Sequence, residues 1–163
     1  MTKPFPFLAM TALVLTVGCS TTKQISVQDE TVKQRNKVTV EQSFQQWQEG
    51  TGSPFELLSD EMQWTISGFN RYAGTYTLES FQTELVEPFN QRTKEPLKPT
   101  QWEVLEDDDV VIIQFDAETT LINGQQYRNS YAWFFTFEGS EVTKVRAFLD
   151  MSAFEEVLEL DIE

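Results

Sequence analysis

Three stretches of the chain repeat apolar residues at three- and four-residue steps, the spacing of one helix face. In the first, Val40, Phe44 and Trp47 form the stripe, Thr39 and Gln42 are spaced as an N-cap and its reciprocal partner, and Gly50 is placed to stop the helix. The second follows Thr77 with Leu78, Phe81, Leu85 and Phe89, and Pro88 is expected to limit its end. The third is short: Ser152 and Glu155 form a second capping-box pattern around Phe154, Val157 and Leu158. Each predicts an amphipathic helix with one apolar face to cover.

Between the second and third stripes the period changes to two. Val111, Ile113, Phe115, Ala117 and Leu121 alternate with Gln114, Asp116, Glu118 and Thr120, the pattern of a half-buried strand. Asn123-Gly124 is a strong hairpin signal, and the return strand alternates Tyr127, Asn129, Tyr131, Trp133 and Phe135 against Arg128, Ser130, Ala132 and Phe134. A turn at Glu138-Gly139-Ser140 leads to a further strand over Glu141 to Asp150. Asp107-Asp108-Asp109 reads as the turn before the first of these strands. It lacks the glycine and distal glutamate of a calcium loop. With Met62 to Ile66 and Thr100 to Leu105 added, the expectation is about five antiparallel strands, and the class is α+β: a curved antiparallel sheet wrapped around N-terminal helices.

A two-residue turn at Asn123-Gly124 would place Asp116 opposite Tyr131, Glu118 opposite Asn129 and Gln114 opposite Trp133. One face would then hold two carboxylates among aromatics. If that face lines a pocket, desolvation raises a carboxyl pKa and makes Asp116 or Glu118 a candidate general base. If it faces water or a second copy of the chain in a homodimer, both are ordinary outward polar positions. Asp150 has two readings of the same kind, as a cap for the last helix or as a catalytic group.

The opening residues carry a different pattern. Lys3 precedes an apolar run from Phe5 to Val17, too short to span a bilayer as a stable helix, so residues 1–18 read as a signal peptide. Leu15-Thr16-Val17-Gly18-Cys19-Ser20 resembles the lipobox of bacterial lipoproteins, which implies cleavage before Cys19 and lipidation of that cysteine. Two or more acyl chains give lasting membrane attachment. Ser20 after the cysteine resembles the pattern for the outer membrane, on its periplasmic side. Residues 19–37 are polar and without period, the composition of a flexible tether, which leaves 38–163 as the domain.

Composition narrows the chemistry. The chain has 163 residues, 12 basic against 26 acidic, a formal net charge of −14, no histidine and one cysteine. That acidity argues against nucleic acid as a partner. The absence of histidine removes Ser-His-Asp and Cys-His nucleophiles and imidazole-bound zinc, and a single cysteine removes intrachain disulfides and thiolate clusters. Nothing in the sequence calls for a cofactor.

The segment Phe55 to Gly68, with an acidic pair ahead of a Trp-bearing strand, then Ala73-Gly74-Thr75-Tyr76 before a helix and Val145 to Asp150 at the end, resembles the SnoaL-like branch of the nuclear transport factor 2-like superfamily. The likeness covers about residues 39 to 160. It implies a cone-like α+β barrel with an apolar pocket, in which a small apolar molecule or a partner protein binds, and it places Trp64, Tyr76, Tyr127, Tyr131 and Trp133 as candidate pocket residues. The same resemblance also leaves open an isomerase, cyclase or hydrolase using a pocket carboxylate. The limonene epoxide hydrolase-like pattern is not kept, because its Arg and two Asp positions correspond to Asp116, Glu118 and Ala147. Scytalone dehydratase-like chemistry needs histidine, and a ketosteroid isomerase-like tyrosine on the first helix is replaced by Phe44 and Trp47.

Overall fold

A computed structural model describes residues 21–162. Cys19 and the signal sequence lie outside the described residues. Helix α1 runs Thr21–Glu49, a 3-10 turn covers Pro54–Leu57, and strands β1 (Leu58–Ile66) and β2 (Gly74–Thr77) follow. Then come α2 (Leu78–Phe81), a π turn (Gln82–Val86) and α3 (Glu87–Asn90) in unbroken succession. Strands β3 (Lys98–Asp107), β4 (Val110–Thr120), β5 (Gln126–Glu138) and β6 (Glu141–Leu149) lead to α4 (Met151–Leu158).

Six strands form one sheet in the order β2-β1-β6-β5-β4-β3, so the α+β architecture expected from the pattern is present. The sheet is mixed rather than antiparallel, because β1 runs parallel to β6, with Trp64 beside Val145 and Ile66 beside Ala147. A strand's alternation is the same whichever way its neighbour runs, so the pattern is blind to this pairing. Strand β2, in the segment expected only to precede the helix, pairs antiparallel with β1 as an edge of four residues.

Helix α1 begins well before Thr39, so that residue is not an N-cap; its Oγ1 donates to the Arg35 carbonyl one turn back at 2.9 Å. The helix does stop at Gly50, whose φ of 73° lets Thr51 N–H return to the Gln46 carbonyl at 2.9 Å. Its stripe of Val40 and Phe44 is fully buried against the sheet, and Asn36 Nδ2 ties the helix to the Gly139 carbonyl at 3.2 Å. Gln48 Nε2 does the same at the Pro99 carbonyl, 3.1 Å away. Each apolar side chain covered in this way stabilises by roughly 1.5–3 kcal/mol.

Pro88 does not end the second helical segment, which continues to Asn90. An α-helical proline would press its ring on the carbonyl four residues back, here Glu84. The chain widens into the π turn just before it, where Glu87 N–H reaches the Gln82 carbonyl. Phe81, Leu85 and Phe89 still point to one side and are buried. The last helix is capped by Asp150, whose Oδ1 accepts from Ser152 N–H at 2.9 Å and Ala153 N–H at 3.2 Å. Ser152 therefore lies inside that helix, and the capping reading of Asp150 is the one the geometry supports.

The β3–β4 turn contains Asp108 with a φ of 53°. The β4–β5 connection is a hairpin, but with one more residue than a two-residue turn. Gly124 N–H reaches the Leu121 carbonyl at 2.8 Å, Gly124 takes a φ of 88°, and Leu121 N–H closes on the Gln125 carbonyl at 2.8 Å. That is a type I turn completed by a left-handed glycine, a three-residue loop. It moves the register by one: Asp116 lies opposite Ser130, Glu118 opposite Arg128, Gln114 opposite Ala132 and Phe115 opposite Tyr131. Because side chains alternate, this single step separates the carboxylates from the aromatics that were expected to share their face.

Candidate binding cavity

The inner face of the sheet carries aromatics at alternate positions, and the helices bring more of them to meet it. Trp133, on β5, is within 6 Å of most of its neighbours: its ring centroid lies 4.7 Å from Phe115, 5.0 Å from Trp64, 5.9 Å from Phe44 and Phe55, and 6.0 Å from Trp47. Trp64 stacks on Phe81 at 4.2 Å, and Phe89 of α3 stacks on Phe154 of α4 at 5.8 Å. A cavity of about 280 Å³ remains between β1, β5, β6, the π turn and α4.

Its wall includes Trp47, Phe55, Trp64, Leu85, Trp133 and Phe154. Leu85 and Val86 reach it from the π turn. Ser53 stands at the wall as N-cap of the 3-10 turn, accepting from Phe55 N–H at 3.2 Å while Glu56 accepts from Ser53 N–H at 3.1 Å. Asn90, Tyr131 and the three tryptophans are the other lining residues that carry polar side-chain atoms. Among the described residues the wall holds no carboxylate, lysine or arginine, and no acidic cluster is arranged to ligate a metal.

Of the residues expected at a pocket, Trp64, Tyr131 and Trp133 line the cavity. Tyr76 and Tyr127 do not. Tyr76 sits half-buried on β2, its hydroxyl donating to the Tyr72 carbonyl at 2.9 Å. Tyr127 lies behind the wall, its ring 5.2 Å from Phe89, and its hydroxyl is 2.8 Å from that of Tyr131. Burial pushes the Tyr127 phenol up and the Tyr131 phenol well above the ordinary range. Trp64 Nε1 is buried with no hydrogen-bond partner.

Asp116 and Glu118 are on the outer face of the sheet. Asp116 accepts from Ser130 Oγ at 2.6 Å and from Gln101 Nε2, and these two bonds hold its carboxyl below the usual range. Glu118 pairs with Arg128 at 3.0 Å, the arginine side chain largely in solvent and the glutamate half-buried. Both carboxylates therefore face away from the cavity, and neither is placed to take a proton from a molecule held there.

Trp47, Phe55, Phe81, Leu85, Phe89 and Phe154 belong to the wall although the sequence marks most of them only as helix faces seeking cover. The stripes were the signal. A helix face that packs on a sheet and one that faces a hollow have the same period. Asn129 had a sharper mark: an amide at an inward position of an otherwise aromatic strand. It is 6% exposed, and its amide bridges Tyr127 Oη at 2.8 Å and the Asp150 backbone, donating to the carbonyl and accepting from the N–H, each at 2.9 Å.

No protein-family model matches the chain, and no curated protein matches it significantly. Solved structures do. A nuclear transport factor 2-like protein of unknown function from Burkholderia pseudomallei aligns over 77% of this chain and 98% of its own, with a TM-score of 0.61 at 14% identity. A protein from a soil-derived mobile gene cassette aligns over 78% and 98%, with a TM-score of 0.62 at 22% identity. TerC, co-crystallized with polyporic acid, aligns over 77% and 99%, with a TM-score of 0.58 at 16% identity. With a bent six-stranded sheet closing over its helices and nearly the whole of each of these domains superimposed, the chain has the nuclear transport factor 2-like, SnoaL-like fold.

Proposed function

We propose that this domain binds a small, largely apolar molecule in its aromatic cavity, and that lipidated Cys19 holds it at the cell envelope, on the periplasmic side of the outer membrane. The observation that carries the binding reading is the cavity itself: about 280 Å³ walled by aromatic and aliphatic side chains with a few polar atoms. That is just below the roughly 300 Å³ at which ligand pockets usually begin, so the ligand is compact. TerC, of similar fold, was co-crystallized with a small molecule, polyporic acid. The anchor rests on the lipobox-like sequence around Cys19, with residues 20–37 as the lead into the domain.

Catalysis by a pocket carboxylate has no support in the geometry, since Asp116 and Glu118 are on the far side of the sheet and the wall has no carboxylate among the described residues. Native mass spectrometry of protein extracted from its own membranes tests the reading: a co-purifying compound of small mass, released on unfolding, is expected. A protein that is uniformly empty from every growth condition and takes up no apolar probe would contradict it. Cys19→Ala should move the protein to the soluble fraction, and unchanged fractionation would refute the anchor.

A further inference from the structure

The loop that sets the β4–β5 register also carries a reactive pair. We propose that Asn123 is the chain's site of spontaneous deamidation, and that Gln125 slows the reaction while the protein is folded. Five asparagines occur in the sequence, and they are followed by Lys37, Arg71, Gln91, Gly124 and Ser130. The reaction closes a five-membered ring between an asparagine side chain and the next backbone nitrogen, so a side chain on the following residue obstructs it. Only Asn123 has glycine there, with no Cβ in the way. It also stands in water: Asn123, Gly124 and Gln125 are all exposed, whereas Asn36 and Asn129 are each 6% exposed.

Hydroxide takes the Gly124 amide proton, and the nitrogen attacks Asn123 Cγ. The N–Cγ bond forms, the Cγ–Nδ2 bond breaks, and Nδ2 takes a proton from water and leaves as ammonia. Water then opens the succinimide. Cleavage between its nitrogen and Cγ leaves aspartate, and cleavage on the main-chain side leaves isoaspartate, with one extra carbon in the backbone. The loop holds each participant off this path. Gly124 N–H donates to the Leu121 carbonyl at 2.8 Å. Asn123 Oδ1 accepts from Gln125 N–H at 2.9 Å, and Asn123 Nδ2 donates to Gln125 Oε1 at 2.9 Å. The amide is thus drawn past Gly124 to the residue beyond, and ring closure needs these bonds to break first. In an exposed loop that opening is local, so the folded chain still reacts, but slowly. Isoaspartate lengthens a loop in which a single residue decides what stands opposite Asp116.

The experiment follows the purified full-length protein in mildly alkaline buffer, by ammonia release and by the mass gained in the proteolytic peptide that carries Asn123, with isoaspartate identified by enzymatic methylation. Folded wild type should react at Asn123 ahead of the other four asparagines. It should do so at least about fivefold more slowly than the same chain in guanidinium chloride, where the loop bonds are gone. Gln125→Ala keeps the backbone donor but removes the acceptor for Nδ2, and should react about fivefold faster than folded wild type, the fold-change of one neutral hydrogen bond. Gln125→Glu, which keeps an acceptor in that place, should return to the wild-type rate. Folded wild type as fast as the unfolded chain, or folded Gln125→Ala no faster than wild type, would overturn the restraint. Product appearing first at another asparagine, or none at Asn123 after incubation many times longer than the unfolded chain needs, would overturn the site. The comparison with unfolded wild type needs no substitution, so it decides the question even if Gln125→Ala folds poorly.

Discussion

Asp116 and Ser130 stand opposite each other on β4 and β5, and the Ser130 hydroxyl donates to Asp116 Oδ1 at 2.6 Å on the outer face of the sheet. With Gln101 donating to the other oxygen, the carboxylate is held in its charged form, below its ordinary value of 3.8. Such a group contributes stability above the unfolded-state pKa, and that contribution is lost as pH falls through the folded value. Ser130→Ala should therefore raise the Asp116 pKa toward 3.8 in a carboxyl-detected NMR titration. Asp116→Asn should leave binding of an apolar probe unchanged. A loss of probe binding would mean that this face communicates with the cavity.

Trp133 touches both the helices and the sheet, with Trp47 stacked at 6.0 Å and Trp64 edge-on at 5.0 Å. Trp133→Ala would leave a hole that rigid rings cannot collapse into. It should cost about 3–5 kcal/mol in urea unfolding. A cost below about 1 kcal/mol would show that the aromatic cluster is loosely packed.

The phenols of Tyr127 and Tyr131 have folded pKa values raised by burial, so the folded state keeps its protons where the unfolded state begins to lose them, from pH 10.0 upward. Stability should be level in this respect below pH 10.0 and fall above it. Ultraviolet difference absorbance should show two tyrosines ionising only with unfolding. Tyr131→Phe should flatten the alkaline fall in midpoint temperature. Free titration of every tyrosine in the folded protein would contradict the buried pair.

Much of this was open to reading from residue order, because local period reports local structure. The Phe81, Leu85 and Phe89 stripe, the alternation of β4 and β5, and the stop at Gly50 all depend on neighbours a few residues away. The parts that escaped depend on partners far along the chain or on one residue of loop geometry. The parallel pairing of Trp64 with Val145 leaves no trace in either strand. Asn123-Gly124 marks a hairpin equally well whether the loop has two residues or three, yet that one residue decides whether Asp116 meets Tyr131 or Ser130. Tyr76 and Tyr127 were reasonable pocket candidates by type, but one sits on an edge strand and the other behind Tyr131. The fold thus followed from period, whereas the cavity wall followed from how the periodic elements come together.

The most direct measurement on the central claim is a tryptophan-fluorescence titration with fluorene, since Trp47, Trp64 and Trp133 all line the cavity. It is run on wild type and on Ala147→Phe, which places a ring in the hollow from β6. Wild type should show saturable one-to-one quenching, and Ala147→Phe, with its far- and near-ultraviolet circular dichroism retained, should bind at least about tenfold more weakly, consistent with about 1.4 kcal/mol or more of lost contact. Quenching that does not saturate, or equal affinity in the folded Ala147→Phe protein, would contradict a binding cavity inside the cone.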